Sequence, residues 1–369
     1  MTSPEFAVDD SAADQTAPRT IDHSQLPTLY VDGSFWGMTI TQFFGAFNDN
    51  LFKQLILLVA VGLSAAAAAE SGGALNKQGI AMLVFALPFV LFSTFAGFVS
   101  DRVSKTRVIR LAKVGEIMVM TLGLAAFVAF QLAGFKGLCV VLFLMGTQSA
   151  FFGPGKYGIL PEMLREADLP RANGFFLMTT FLAIIFGTAS AGWLADLVAG
   201  REPTDADPST IDPNRLWIVS ILCVAVAIAG ACSSLLVRKL PPANPDLRFH
   251  GSMLAIPADM RALLAGDSLL LVTLLVSSSF WLMGGIVQPT VNEFGIDQLQ
   301  QDNEKTSYLA AAMGVGIAIG CMTAGLMSRD RVRFGLARVG LYGMLGCLIL
   351  LGIPAPHAPH QHLWGYRGS

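Results

Sequence analysis

Five ionisable side chains stand inside stretches that are otherwise apolar: Asp49, Lys53, Lys113, Glu116 and Lys156. Asp49 and Lys53 are four residues apart and Lys113 and Glu116 three, so each pair could meet across one turn of helix. Asn48 and Asn50 flank Asp49 and add neutral donors and acceptors. Lys156, followed by Tyr157, lies in Pro154-Gly155-Lys156-Tyr157-Gly158, where it could face an anionic group, pair with Asp49 or Glu116, or sit at an interface. An ionisable group in a hydrocarbon layer costs about 2.5 kcal/mol or more. Two readings stay open for these charges: structural pairing, or a polar site for a substrate or a coupling ion. Lys113, near the end of its stretch, is expected to snorkel, which makes the deeper Glu116 the better candidate.

Other chemistries fit poorly. A P-loop needs Gly-x-x-x-x-Gly-Lys-Ser/Thr, but here Ala150 and Tyr157 occupy the first Gly and the Ser/Thr positions, so ATP is not expected as the driver. A membrane acyl-transfer enzyme would need a His close to an Asp at one leaflet. His23 and Asp22 lie in a polar tail, and no His falls in an apolar stretch, so no enzyme is expected. The five cysteines all fall in apolar stretches and read as buried small hydrophobes. His357, His360 and His362 read as part of a polar tail, so neither a metal nor a cofactor is expected.

The elements that must position these residues follow from the charge distribution. Of 369 residues, 24 are Lys or Arg and 26 Asp or Glu, while 53% are hydrophobic, with a mean hydropathy of +0.59. That composition excludes a disordered chain, a nucleic-acid binder and a disulfide-stapled secreted domain. The charges cluster between nine apolar stretches at 35–63, 79–99, 108–131, 137–160, 174–199, 216–237, 268–291, 307–327 and 334–353. Each has roughly the 20 residues a helix needs to cross a bilayer. With the N-terminus in the cytoplasm, 16 of the basic residues fall inside and 6 outside, which sets the orientation. Residues 1–34 read as a disordered cytoplasmic tail, 241–267 as a cytoplasmic linker in which an interfacial helix could lie, and 354–369 as a polar tail. Pro154 and its glycines are expected to bend or break the fourth helix.

Two stretches repeat. Ala96-Gly97-Phe98-Val99-Ser100-Asp101-Arg102 ends the second span, and Ala324-Gly325-Leu326-Met327-Ser328-Arg329-Asp330-Arg331 ends the eighth. A spacing of six spans is what a duplicated six-helix unit predicts. The run Gly97, Asp101, Arg102, Lys105 and Arg107 resembles the signature loop between the second and third helices of the major facilitator superfamily. There Gly97 would let helices approach closely, Asp101 would pair or cap, and the bases would latch onto helix C-termini or acidic lipid heads.

Within that superfamily, Gln42-Phe43-Phe44-Gly45-Ala46-Phe47-Asn48-Asp49-Asn50-Leu51-Phe52-Lys53 resembles the first-helix signature of the bacterial lysophospholipid transporters. Pro154-Gly155-Lys156-Tyr157-Gly158-Ile159-Leu160-Pro161-Glu162 resembles their fourth-helix motif, and Gly187-Thr188 through Gly192 to Ala195-Asp196 their fifth helix. The resemblance implies an all-α integral membrane protein of major facilitator fold. Its six-helix bundle would span 35–240 and a partial second bundle of about three helices 268–353, as in a C-terminally truncated member. It implies a flippase in the bacterial cytoplasmic membrane that moves lysophospholipid to the inner leaflet by alternating access. Its partners would be the phospholipid bilayer and a separate acyltransferase and acyl-carrier-protein ligase, with no nucleic acid. It puts Asp49, Asn50, Glu116 and Lys156 in or near a head-group cavity, with Asn48, Lys53 and Tyr157 beside them. A facilitator for another amphiphile or drug, and a truncated non-transporting protein, are the alternative expectations.

Overall fold

The computed structural model describes residues 26–71, 76–199, 212–249, 258–299, 301–328 and 334–351. The acidic N-terminal tail up to residue 25, the histidines after residue 351 and the Asp-Arg pair of the second repeat copy lie outside the described residues. The described elements are helical, and no strand occurs among them. They are α1 (Gly33–Ser71), α2 (Lys77–Arg102), α3 (Lys105–Val128), α4 (Phe130–Met163), α5 (Leu169–Ala199), α6 (Trp217–Ser234), α7 (Ala258–Gly266), α8 (Ser268–Glu293), α9 (Asn303–Ser328) and α10 (Phe334–Leu351). Seven of these, α1–α6 and α8, are long and apolar enough to cross a membrane. They correspond to the first seven apolar stretches of the sequence. α9 and α10 cover the other two as helices but are not among the seven. The chain divides into two compact units, residues 1–314 and 315–369.

Carboxylates and amides start several of these helices. Asp32 accepts from Ser34 N (2.8 Å) at the head of α1, and both its oxygens also accept from Arg238 Nη2 (2.6 Å each) from beyond α6. Asn76 caps α2 through Gly79 N (2.8 Å), and Asp267 caps α8 through Leu269 N and Leu270 N (3.0 and 3.1 Å). Each satisfies amide groups that a helix N-terminus leaves without partners.

α1 is the central element. Leu51, Phe52, Leu55, Ile56, Leu57 and Leu58 are all buried, because α1 packs on α5 and α6 and also meets α2 and α4. α2 lies on α4, and α3 lies on α4 and α6. Helices in lipid associate by close packing rather than by a hydrophobic driving force, so small residues mark their contacts. A Cβ at Gly187 of α5 would run into the Phe47 carbonyl of α1, and one at Gly146 of α4 into the Phe85 carbonyl of α2.

Several expectations are corrected. α4 does not break at Pro154. It carries Pro154 and Pro161 within the helix and leaves helical geometry only at Gly134 (φ 57°, ψ −161°), a left-handed conformation that glycine adopts freely. A proline costs one intrahelical hydrogen bond, and packed neighbours hold the turns around it. Gly97 makes no close approach: a Cβ there would meet nothing within 4 Å. Of the cysteines, Cys223 is buried, whereas Cys232 and Cys347 face outward from their helices. Apolar lipid accepts a thiol as readily as a core does.

Gly187→Leu should therefore lower thermal stability by roughly 1–3 kcal/mol, as overpacking does. Gly97→Ala should leave it unchanged or slightly raised. Melting of the two purified variants in detergent, followed by fluorescence-detected size exclusion, checks the contrast.

Candidate functional site

Successive residues on a helix point about 100° apart, so the polar run of α1 is divided among its neighbours. Asn48 faces α3, and its Nδ2 donates to Glu116 Oε1 (3.1 Å). The other oxygen, Glu116 Oε2, holds Lys113 Nζ at 2.6 Å, and both side chains are only 1% exposed. The Lys113 ammonium also lies 4.9 Å from the centre of the Phe152 ring of α4. This corrects the expectation that Lys113 snorkels. A carboxylate one turn away on the same helix is nearer than any head group. Gly45 of α1 clears the space, since a Cβ there would collide with the ammonium, whereas one at Gly230 of α6 would stand 3.6 Å from it, an ordinary contact.

Asp49 turns toward α4. Its Oδ2 accepts from Ser149 Oγ (2.7 Å), while its Oδ1 is buried and has no hydrogen-bond partner. The pairing considered for Asp49 and Lys53 is not formed within 4 Å. Lys53 donates instead to Asn50 Oδ1 (3.2 Å) and lies 5.5 Å from the Phe85 ring centre of α2. Asn50 spends its Nδ2 on the Ala46 carbonyl of its own helix (2.7 Å). Lys156 is seven residues beyond Ser149 on α4, hence on the same face and roughly 10 Å along the axis. Its ammonium makes no ion pair with a carboxylate among the described residues and rests 5.6 Å from the Phe176 ring centre and 5.2 Å from that of Tyr157. Tyr157 itself is 58% exposed and points out of the bundle. The structure thus brings Asn48, Asp49 and Glu116 into one buried layer, sets Asn50 and Lys53 beside it, and leaves Lys156 about two turns away.

Lys113 and Ser149 belong to that layer although they were not among the candidates. Glu116 being three residues from Lys113 was the available signal for the first. A serine in an apolar helix carries none.

The loop between α2 and α3 holds the first six helices together at the end where α1 begins. Lys105 pairs with Glu162 at the end of α4 and stands 3.8 Å from Asp101. The Asp101 carbonyl accepts from Asn244 N (2.9 Å) in the segment after α6. Arg102 lies 5.8 Å from the Phe98 ring centre, and Arg107 is exposed. The grip on a helix C-terminus expected of these bases is made by Arg110. It donates to the carbonyls of Ser234 (3.4 Å), Leu235 (3.2 Å) and Val237 (2.8 Å) at the end of α6.

At the opposite end, a cluster of neutral amides joins α1 and α2 to α8 and α9. Gln54 Nε2 donates to Asn292 Oδ1 (3.0 Å) and Ser307 Oγ (3.4 Å), and Asn292 Nδ2 donates to Gln78 Oε1 (3.1 Å). Beside it, Asp196 of α5 accepts from Asn303 Nδ2 (3.0 Å) and Glu304 N (2.8 Å), which caps α9 from another helix. Over most of its length, by contrast, α8 is exposed, as at Leu275 (58%) and Leu282 (65%).

Residues 35–366 match the Major Facilitator Superfamily. The chain is 29% identical to the "Lysophospholipid transporter LplT" of Enterobacter sp. (strain 638), over 88% of this chain and 79% of that protein. It is 27% identical to the protein of that name from Salmonella gallinarum, over 85% and 74%, and 26% identical to the one from Serratia proteamaculans, over 89% and 79%.

Removing one member of a buried ion pair costs about 3–5 kcal/mol, whereas replacing both with apolar groups of similar volume is often neutral. Lys113→Met alone should therefore abolish or sharply reduce folded protein, and Lys113→Met with Glu116→Leu should restore it. Monodisperse yield after purification measures both. A single variant as stable as the double would remove the pair from the core.

Proposed function

The chain belongs to the Major Facilitator Superfamily of transporters, and we propose that it carries lysophospholipid from the outer to the inner leaflet of the bacterial cytoplasmic membrane by alternating access. The observation that carries this reading is the Asp49 layer. A carboxylate with one buried, unpartnered oxygen stands midway along the central helix, and two ammonium groups without carboxylate partners, Lys53 and Lys156, lie nearby. Opposite charges set apart from one another suit a zwitterionic head group such as that of lysophosphatidylethanolamine. Asp49 would take the ammonium, and Lys156 or Lys53 the phosphate. The matched relatives are named for lysophospholipid transport, which supports the substrate class.

Alternating access is supported by the asymmetry of α8. It is joined to α1 and α2 through Gln54, Gln78 and Asn292 at one end and is exposed along the rest. A contact that closes one end is one of the parts such a cycle needs, and these amides supply it. Neutral amides can release and re-form without moving a proton or stranding a charge, which fits a contact that must break on every turn. With the N-terminus cytoplasmic, the closed end is the outer one. Lipid delivered inward would be re-acylated by a separate acyltransferase and acyl-carrier-protein ligase.

Vesicles containing the protein should move labelled lysophosphatidylethanolamine from the outer to the inner leaflet. A hydrogen bond to a charged group contributes about 1.5–3 kcal/mol, so Asp49→Asn should reduce uptake on the order of tenfold to a hundredfold. Unchanged uptake in that variant would remove Asp49 from the mechanism. A panel of other amphiphiles in the same vesicles separates a lysophospholipid carrier from a facilitator of broader range. Gln54→Leu should loosen the closed end, read as alkylation of an Ile296→Cys probe, at a buried position outside the amide cluster, that is faster than in the same probe with Gln54 intact.

A further inference from the structure

The chain leaves α6 through residues 238–249, whose two ends are held in different ways. The root is tied down. Both oxygens of Asp32 accept from Arg238 Nη2 (2.6 Å each), and Ser34 Oγ accepts from Arg238 N (3.0 Å). Thr106 Oγ1 donates to the Arg238 carbonyl (2.7 Å) and Ser104 Oγ to that of Leu240 (2.6 Å), and Leu240 is buried. Pro241, Pro242 and Pro245 follow, all exposed. They fix φ and supply no N–H, which makes this stretch a stiff spacer. One backbone bond crosses from it, Asn244 N to the Asp101 carbonyl in the last turn of α2 (2.9 Å). The tip is Phe249. Its ring stands edge-on to Phe95 (5.6 Å between centres, 85°) and Phe98 (5.2 Å, 68°) of α2, and Phe95 continues to Phe151 of α4 (6.0 Å, 84°). Phe249 and Phe95 are each 40% exposed, so the tip lies on its site rather than within a core. Beyond it the chain runs on to α7 and α8.

Resting on the two-state cycle of the transport reading above, we propose that residues 238–249 form a strap with a fixed root and a releasable tip, and that Phe249 seated on Phe95 and Phe98 holds the arrangement in which the opposite end is closed. The strap is the covalent route from the first six helices to α8. A displacement of α8 that draws this route taut therefore reaches Phe249 before it reaches the root. At the root an ion pair and several hydrogen bonds would have to break together. At the tip two edge-to-face ring contacts part, which strands no buried polar group. The clasp at one end and the amides Gln54, Gln78 and Asn292 at the other are present in the same arrangement. Contacts made in one state stabilise it together, so the loss of either raises the population of the other state.

The test uses the full chain in vesicles with the Ile296→Cys probe at the opposite end, its alkylation read on that peptide by mass spectrometry so that the native cysteines do not contribute. Phe249→Ala should speed alkylation by about tenfold, the worth of two ring contacts. Phe249→Tyr, which keeps the ring, should stay at the rate of the unaltered strap. Arg238→Ala, at the root, should lower the melting temperature, which Phe249→Ala should lower far less. Three results would overturn the inference: a rate unchanged by Phe249→Ala, a rate raised as much by Phe249→Tyr, or a loss of melting temperature in Phe249→Ala as large as in Arg238→Ala, which would make the tip part of the static fold. A probe that Gln54→Leu speeds and Phe249→Ala does not overturns the strap alone. One that neither variant moves overturns the two-state reading on which the strap rests.

Discussion

Charge buried in an apolar helix bundle must be answered from within the bundle, because neither water nor lipid will answer it. The pair of Lys113 and Glu116 is where this constraint acts most strongly, with both side chains 1% exposed and their charged atoms 2.6 Å apart. Much of the surrounding packing follows from it. Gly45 on α1 is small because an ammonium occupies the space its side chain would fill, and Gly230 on α6 brings that helix to within contact of the same ammonium. Phe152 of α4 presents its ring face to the same ammonium. The remaining carboxylate lone pairs reach back to Asn48 of α1. Four helices thus take their local spacing from one ion pair. Burying such a pair is seldom a net gain over well-packed apolar side chains, so stability alone does not account for it.

The two ends of the first six helices are secured by different chemistry. Where α1 begins, the connections are ionic or charge-assisted: Lys105 with Glu162, Arg238 with Asp32, and Arg110 on the carbonyls ending α6. They tie α3 to α4 and α6, and the segment after α6 to the residues that lead into α1. At the far end, the links to α8 and α9 run mainly through neutral amides, Gln54, Gln78 and Asn292, with the Asp196 cap beside them. These ion pairs thus lie within the first six helices and the segments at their ends, whereas the links onward to α8 and α9 are hydrogen bonds, some between neutral amides and some to a single carboxylate, Asp196 or Glu293.

The sequence made the helices and the charged positions legible, because both are extremes of composition. A stretch of 20 apolar residues interrupted by Asp49 is visible without any partner. Which residue each charge would meet was not legible. Asp49 and Lys53 have the spacing of an ion pair, yet one leans to Ser149 of α4 and the other to Phe85 of α2, since the neighbours differ on the two sides. Lys113 has the position of a snorkelling lysine, but Glu116 and the Phe152 ring hold it inside, in space that Gly45 of another helix leaves free. Tyr157 adjoins Lys156 in the chain but points about 100° away around the helix and is 58% exposed, while its ring still lies 5.2 Å from the Lys156 ammonium. The amide cluster went unread because glutamine and asparagine carry no charge. Their significance appears only when Gln54 and Asn292, 238 residues apart, share a hydrogen bond.

Within the polar layer, the degree of satisfaction separates structure from function more sharply than charge does. Lys113 and Glu116 are fully engaged by fixed groups of the protein, so a ligand could reach them only by breaking bonds the fold depends on. Asp49 and Asn48 are each engaged through one side-chain atom and keep one buried oxygen without a hydrogen-bond partner. Lys156 has aromatic faces for company and no carboxylate. Tightening runs in one direction, from Lys156 through Asp49 and Asn48 to the closed pair. A site that must take up and then release its cargo cannot be satisfied by the protein alone, since the protein would then compete with the cargo for the same atoms. Nor can it be wholly unsatisfied, since the empty state would be too costly to pass through. Half-satisfied groups backed by a rigid pair would meet both requirements of the proposed site, and Asn48 and Asp49 of α1, bonded to Glu116 of α3 and Ser149 of α4, are such groups.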